Sequence, residues 1–201
     1  MAEKKLKIFT LEEYLTFENQ SDVKNEFDHG SIVAMSGGTL NHGIIGNNIN
    51  TALNNAVKSK GTDCVTINGD VRIYIEKADS VVYPDAMVIC GDIQTAEPDR
   101  NAVINPVLII EVLSKSTESY DRGDKFHKYC SLPSFKEYVL IDQNKPVVDV
   151  LYKETAAYWK MVTTIGLDKS IYLNTLDCFI QLSDIYRNTQ NLAVPQFKLD
   201  L

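Results

Sequence analysis

A mixed α/β fold, in which a β-sheet is flanked by helices, is the fold that the sequence predicts, on the basis of three observations. Short apolar runs that suit strands recur through the middle of the chain and are separated by Gly or Pro. Between Asn41 and Ser59 the apolar residues instead recur at spacings of three and four, as on a helix with one buried face. A length of 201 residues with 44% hydrophobic residues suits one domain with a substantial core. We expect a single domain over 1–201, with its core at about 10–187 and a polar tail at 188–201.

The N-terminal segment predicts a helix followed by a pair of strands. Thr10 and Glu13 have the spacing of a capping box, which opens a short helix through about Phe17. Two short strands then turn at 28–31, and the small residues at 36–38 break the strand pattern before the long helix.

The long helix and the segment after it predict the centre of the domain. The helix over 41–59 should end at Gly61, and His42 falls on its apolar face one turn before Ile45. Four apolar runs then predict the strands of a central sheet, at 64–67, 71–75, 86–90 and 106–113.

The C-terminal half predicts one more helix and a strand meander. The helix should be capped within 114–117 and carry an apolar face formed by Phe126, Tyr129 and Cys130. The remaining predicted elements are three strands and a short final helix, at 137–142, 146–152, 157–162 and 183–186.

A carboxylate within the run from 106 to 113 is the feature that most needs an explanation. Glu111 is flanked by residues apolar enough for a buried strand, where an ionised carboxylate must be paired, protonated or bound to a cation. A second carboxylate, Asp85, follows Pro84 at the start of another apolar strand. If these strands are neighbours, the two carboxylates could hold Mg²⁺ or Mn²⁺, which need only one or two carboxylates from a protein.

The helix after Glu111 carries candidate cations. Asp121, Lys125 and Lys128 recur at spacings that place them on one side of the helix, opposite the aromatic residues. A metal with a lysine beside it suits phosphodiester hydrolysis, because the ammonium can orient water or offset the negative charge that develops on the phosphate.

Composition narrows the possible partners and the location. A net charge of −7 argues against wrapping by nucleic acid over the whole surface, but it leaves open a local groove or a cation site. The four cysteines are widely spaced without a CxxC pair, which favours reduced, packed thiols. The N-terminus lacks the apolar core of a signal peptide and no apolar run could span a membrane, so we expect a cytoplasmic protein without membrane contact.

Several separated motifs, in this order, resemble the Uma family of restriction endonuclease-like proteins. They are Glu26…His29-Gly30, Met35-Ser36-Gly37-Gly38…His42, Tyr83-Pro84-Asp85, Asn105-Pro106…Glu111-Val112-Leu113-Ser114, Asp121-Arg122-Gly123…Lys125 and Glu137-Tyr138-Val139-Leu140. The resemblance extends from about Thr10 to Tyr186. It implies the PD-(D/E)XK nuclease fold, a mixed sheet flanked by helices, and the hydrolysis of DNA with Mg²⁺ or Mn²⁺.

The resemblance also implies roles for individual residues. Asp85, Glu111 and Val112 are the expected metal ligands. Two residues after Glu111, where the wider nuclease pattern has a lysine, this chain has Leu113. Lys125 on the following helix fits the family position, so we expect it to take the role of the missing strand lysine.

Glu26 and His42 match further family positions and are expected to complete the catalytic site. A homodimer would suit the cutting of two strands by paired subunits. Each residue also has a structural interpretation: Glu111 paired with Lys125 or His42 in the core, Lys125 in a solvated pair with Asp121, Glu26 as an exposed edge charge, and His42 as a hydrogen-bonded core residue. The alternative functions are a catalytically inactive nuclease-fold module that binds nucleic acid or assembles with other proteins, and the hydrolysis of a smaller phosphoester.

Overall fold

The computed structural model describes residues 8–196. Residues 1–7 and 197–201, which belong to the predicted N-terminus and polar tail, lie outside the described residues. The helices are α1 (Leu11–Glu18), α2 (Leu40–Lys60), α3 (Glu118–Tyr120), α4 (Phe126–Cys130) and α5 (Leu182–Ile185), with a 3₁₀ turn at Glu76–Ala78 and a π-helical turn at Asp121–Lys125 that joins α3 to α4. The strands are β1 (Asn25–Asp28), β2 (Ser31–Ala34), β3 (Cys64–Asn68), β4 (Arg72–Ile75), β5 (Ser80–Val82), β6 (Ala86–Cys90), β7 (Thr95–Ala96), β8 (Asp99–Val103), β9 (Leu108–Leu113), β10 (Glu137–Asp142), β11 (Val147–Lys153), β12 (Trp159–Ile165), β13 (Ser170–Leu173) and β14 (Cys178–Gln181).

The strands form two six-stranded mixed sheets and a separate hairpin of β13 and β14. The order in the first sheet is β2-β1-β5-β4-β8-β7, and in the second sheet it is β12-β11-β10-β9-β6-β3. The predicted mixed α/β fold is confirmed, but the prediction of one central sheet is wrong. β4 does not join β3 or β6 but pairs with β5, the next strand along the chain, and with β8. β5 has only three residues and β8 is largely polar, so neither gave a clear strand pattern.

The second sheet lies between two apolar layers. One face packs on α2 and α5, and the other face packs on the first sheet and α4. Successive side chains of a strand point to opposite faces, and β9 follows this rule. Its residues on the α2 side are Leu108, Ile110 and Val112, and those on the side of the first sheet are Ile109 and Leu113. Glu111 therefore points toward the first sheet.

The predicted helix ends are confirmed at the two N-terminal helices. Thr10 and Glu13 make both hydrogen bonds of a capping box at α1. The Thr39 side chain caps α2, and Gly61 ends it in the left-handed conformation at φ 60°. Among the described residues, no helix combines the length and the apolar character needed to cross a membrane.

The prediction that all four cysteines are reduced is wrong for one pair. Cys64 and Cys90 form a disulfide, whereas Cys130 and Cys178 are free thiols. The pairing of β3 with β6 sets Cys64 directly opposite Cys90, a register that cysteine spacing along the sequence does not indicate. The expected cytoplasmic location loses the support of reduced thiols.

Glu137 in β10 is a second carboxylate inside the second sheet, and it is fully buried. Its Oε1 accepts from the backbone and side-chain nitrogens of Asn174, and its Oε2 accepts from the backbone N–H of Thr175. Both oxygens are thus occupied by donors from the loop between β13 and β14, which is the pattern of a structural carboxylate.

We expect Glu137→Ala to lower the free energy of unfolding by about 1–3 kcal/mol per unpaired donor group, because the N–H groups of Asn174 and Thr175 would lose their acceptor. Urea unfolding followed by circular dichroism measures the change. Glu154→Ala, at an exposed position, is the control and should stay within about 0.5 kcal/mol of the wild type. Equal stabilities of the two variants would contradict this role of Glu137.

Candidate active site

A cavity of about 510 Å³ lies between the edge of the first sheet, the start of α2, the ends of β6 and β9, and the π-helical turn. All six residues predicted for the site line it: Glu26, His42, Asp85, Glu111, Val112 and Lys125. The fold therefore brings together residues that are far apart in the sequence. Their chemical roles remain predictions.

Strand pairing explains why Asp85 and Glu111 meet. β6 and β9 are antiparallel neighbours, and Ala86 pairs with Ile110. Asp85 precedes Ala86 and Glu111 follows Ile110, so the two carboxylates stand side by side where β6 begins. Alternation along β6 puts Asp85 on the same face as Met87, which packs toward the first sheet as Glu111 does.

Gly69, in the turn between β3 and β4, allows this arrangement to be compact. A Cβ atom at this position would lie 2.9 Å from the carbonyl oxygen of Pro84 and 3.5 Å from the Cα of Asp85. Only a residue without a side chain permits such a close approach of the two backbones.

Only one of the two carboxylate oxygens of Glu111 has partners among the described residues. Its Oε1 accepts a hydrogen bond of 2.8 Å from the Tyr129 hydroxyl and lies 3.0 Å from Lys125 Nζ. No group within residues 8–196 donates a hydrogen bond to Oε2. This oxygen opens onto the cavity and is not buried without a partner. Glu137 provides the contrast, because both of its oxygens are occupied.

Asp85 is oriented by backbone and histidine contacts. Its Oδ2 accepts a 2.6 Å hydrogen bond from the Val112 N–H and lies 3.4 Å from His42 Nε2. The hydrogen bond to Asp85 raises the pKa of His42, although burial acts in the opposite direction. Within the described chain no hydrogen bond ends on Asp85 Oδ1, which faces the cavity.

Lys125 reaches Glu111 from the π-helical turn. Its Nζ also donates to the carbonyl oxygen of Tyr83 at 2.9 Å and lies 3.3 Å from Glu26 and 3.8 Å from Asp121. The side chain is 5% exposed, so the alternative of a solvated pair with Asp121 is wrong. A π-helical turn widens the helix locally and is frequent at functional sites.

Leu113, at the position where a strand lysine was missing, is buried in the apolar cluster between the sheets. A lysine at this position would bury its ammonium in an apolar environment without a partner, which is costly. An ammonium reaches Glu111 instead from Lys125 in the π-helical turn; whether it has the role of the strand lysine stays a prediction.

The electrostatic balance of the cavity is negative. Five carboxylates line it, Glu26, Asp28, Asp85, Glu111 and Asp121, and the Lys125 ammonium contacts three of them. Burial raises the pKa of Glu111 well above its usual range, and attraction to Lys125 opposes this shift. Burial likewise raises the pKa of Asp121. Burial lowers the pKa of Lys125, but attraction to Glu111, Glu26 and Asp121 outweighs it, so the pKa of Lys125 is raised and the ammonium stays protonated.

Glu26 lies in β1, the second strand of the first sheet, and is 9% exposed. The alternative of an exposed edge charge is therefore wrong. Its Oε1 accepts a hydrogen bond from the Tyr83 N–H at 3.1 Å and lies near Lys125 Nζ. Glu26 and Lys125 thus bind the N–H and the carbonyl of the same residue.

Tyr129 and Tyr120 were not predicted as site residues. The spacing of Tyr129 on the helix indicated an apolar contact, but its hydroxyl binds Glu111. Tyr120 lines the cavity, and its hydroxyl accepts a 3.1 Å hydrogen bond from Lys128. A buried tyrosine hydroxyl usually has a polar partner, so the predicted apolar position of Tyr129 was a signal for that residue. Tyr120 is half-buried and gave no such signal.

The oxygen atoms that line the cavity suit Mg²⁺ in number and kind. Within residues 8–196 no three His, Cys, Asp or Glu side chains are arranged to enclose an ion by themselves. Mg²⁺ usually keeps several waters and takes one or two carboxylates, and Asp85 and Glu111 each present a free oxygen to the same cavity. With the excess negative charge, these hard oxygen donors fit Mg²⁺ or Mn²⁺.

Comparisons with known proteins show what this chain is similar to. The model of the Uma2 family, described as "Putative restriction endonuclease", matches residues 11–183. Two uncharacterized proteins of Synechocystis sp. are 33% identical to this chain. One alignment covers 88% of this chain and 90% of the relative, and the other covers 82% and 92%.

A solved structure has the same fold. The crystal structure of a putative nuclease belonging to DUF820 from Anabaena variabilis superposes with a TM-score of 0.71 and 18% identity, covering 89% of this chain and 97% of that chain. This chain therefore shares the mixed α/β fold of that structure.

We expect Lys125→Met to lower the free energy of unfolding by about 3–5 kcal/mol, because Glu26, Glu111 and Asp121 would be left buried without a cation. Urea unfolding at neutral pH measures the loss. Lys58→Met, at an exposed position of α2, is the matched control and should change stability by no more than about 0.5 kcal/mol.

The double variant Lys125→Met/Glu111→Gln should regain part of this loss, since it removes one of the unpaired carboxylates together with the cation. If Lys125→Met were no less stable than Lys58→Met, the ammonium would not hold the carboxylates together.

Proposed function

The chain belongs to the Uma2 family of putative restriction endonucleases, and on this basis we propose that it is a metal-dependent endonuclease that hydrolyses phosphodiester bonds in DNA. One observation supports the proposal most directly. The Lys125 ammonium lies beside Glu111, whose side chain shares the cavity with Asp85, although the strand position that usually carries the lysine is Leu113. Two carboxylates and an ammonium at one point are the groups that phosphodiester hydrolysis requires.

The metal ligands in this proposal are Asp85, Glu111 and the backbone of Val112. They would hold Mg²⁺ or Mn²⁺, which supplies a Lewis acid for a phosphoryl oxygen and lowers the pKa of water. Tyr129 acts as a positioning residue, because its hydrogen bond occupies Oε1 of Glu111 and directs Oε2 to the cavity. His42 and the Val112 N–H do the same for Asp85 through its Oδ2.

Lys125 has the position of the catalytic lysine in this proposal. Its raised pKa keeps the ammonium charged at neutral pH, so that it can offset negative charge on a phosphate or orient water by hydrogen bonding. Glu26 holds Lys125 from the side of the first sheet and adds to the negative charge that favours a cation in the cavity.

The inactive nuclease-fold module is the second candidate, and one observation favours it. Lys125 is buried among three carboxylates and the Tyr83 carbonyl, which is also what a purely structural ion cluster would show. Metal binding separates the two candidates, because a structural cluster neutralised by Lys125 has no need of a divalent ion. The homodimer and the cytoplasmic location remain predictions.

Asp85→Asn and Glu111→Gln should each lower the rate of Mn²⁺-dependent DNA cleavage by about 10²–10³-fold or more, because each change removes an anionic ligand and keeps the side-chain shape. The measurement is single-turnover cleavage of labelled oligonucleotides, with circular dichroism to confirm folding. Glu154→Gln, an exposed position outside the cavity, should cleave like the wild type. Wild-type rates in both site variants would refute the assignment.

Calorimetric titration with Mn²⁺ should give saturable heat at one site in the wild-type protein, and Asp85→Asn and Glu111→Gln should reduce this heat strongly. The reason is that Asp85 and Glu111 are the two proposed side-chain ligands, and each has one oxygen to which no described residue donates a hydrogen bond. Glu137→Gln is the matched control, since it changes a buried carboxylate outside the cavity, and it should bind like the wild type. An absence of saturable heat in the wild type would support the inactive module.

A further inference from the structure

The cavity has an apolar wall that the carboxylate chemistry does not use. Val33 lies in β2, the edge strand of the first sheet, and pairs with Glu26, so both side chains project from the same face. Met35 follows directly after β2 ends, and both side chains line the cavity. They are 55% and 37% exposed although the adjacent carboxylates are buried.

We propose that this wall binds the base of a single unpaired nucleotide whose phosphodiester lies at Asp85 and Glu111. The inference rests on the proposed nuclease function and adds the form of DNA that enters the site. Every base has an apolar face that can pack on such a wall without regard to sequence.

The size of the cavity supports one nucleotide unit. Its volume of about 510 Å³ falls in the range of about 300–1,000 Å³ of pockets that enclose single small ligands. A base-paired duplex is too wide to enter, so a phosphodiester can approach the carboxylates with its base against the wall only when that nucleotide is unpaired. Single-stranded DNA and a nucleotide turned out of a duplex both meet this condition.

The charges in the cavity support a contact with the base. Among the described residues that line it, the side chains able to carry positive charge are His42 and Lys125, and both contact carboxylates. Proteins that hold DNA, duplex or single-stranded, do so largely through contacts of Lys and Arg with phosphates. A cavity without such cations needs contacts with the base to hold its substrate, and Val33 and Met35 provide the apolar surface for them.

Small residues next to the wall leave room for a base. The chain continues from Met35 through Ser36, Gly37 and Gly38 before α2 begins, and all of these residues line the cavity. A Cβ atom on Gly37 would meet nothing within 4 Å, so the space beside the wall is open.

The first test compares substrates of one sequence with Mn²⁺: a single strand, a matched duplex, and the same duplex with one mismatched pair or one bulged base. We expect cleavage of the single strand, cleavage next to the mismatch or bulge, and a rate on the matched duplex that is at least tenfold lower. Equal rates on the matched duplex and the single strand would overturn the inference and leave the nuclease proposal intact.

The second test changes the wall. Val33→Ser/Met35→Ser should lower kcat/KM on the single strand by about tenfold or more, because the apolar surface that the base covers would be lost. The matched control is Val65→Ser/Met161→Ser, which makes the same changes at exposed positions of the edge strands β3 and β12, outside the cavity. Equal effects of the two double variants would count against the wall.

A third measurement does not depend on catalysis. A single-stranded oligonucleotide carrying 5-iododeoxyuridine is irradiated with the full-length protein, and the cross-linked peptide is identified by mass spectrometry. Cross-linking to the segment 31–39 supports the base site even if no cleavage is found, in which case only the nuclease proposal fails. Cross-linking confined to other segments would overturn the base site.

Discussion

The contacts of the Lys125 ammonium are the interaction on which the rest of the site depends. Its Nζ joins Glu26 of the first sheet, Glu111 of the second sheet, and the carbonyl of Tyr83. Tyr83, Pro84 and Asp85 carry the chain from β5 in one sheet to β6 in the other. One cation therefore holds the two sheets together at this point. The segment that passes from one sheet to the other also places Asp85 at the cavity.

The surroundings of two buried carboxylates indicate which of them serves structure and which is available for chemistry. Glu137 and Glu111 lie in neighbouring strands of the second sheet, and both are nearly inaccessible. Both carboxylate oxygens of Glu137 accept hydrogen bonds from N–H groups of one loop, and these donors stabilise its negative charge. Glu111 instead shares one ammonium with other carboxylates and keeps one oxygen toward the cavity. Burial without full pairing is costly, which is why such groups are associated with functional sites.

The carboxylates of the cavity and its apolar wall come from different layers of the fold. Asp85 and Glu111 project from the second sheet, whereas Val33 projects from the edge strand of the first sheet. The carboxylates that attract a cation therefore lie next to the apolar side chains that suit a base. Pockets with few polar groups converging on an otherwise apolar lining are typical of ligand sites.

Local patterns along the sequence were sufficient to predict most helices and strands and the importance of particular residues. The capping box at Thr10, the helix end at Gly61 and the unexplained acid at Glu111 each depend on neighbours only a few positions away. Only the tertiary structure decided which residues and strands contact one another, because these contacts join segments that are distant in the sequence. Examples are the division of the strands between two sheets, the cross-strand pair Cys64–Cys90 and the contact of Lys125 with Glu111. The spacing that places Lys125 on a helical face cannot reveal that this face is buried against two sheets, since burial is a property of the packed layers.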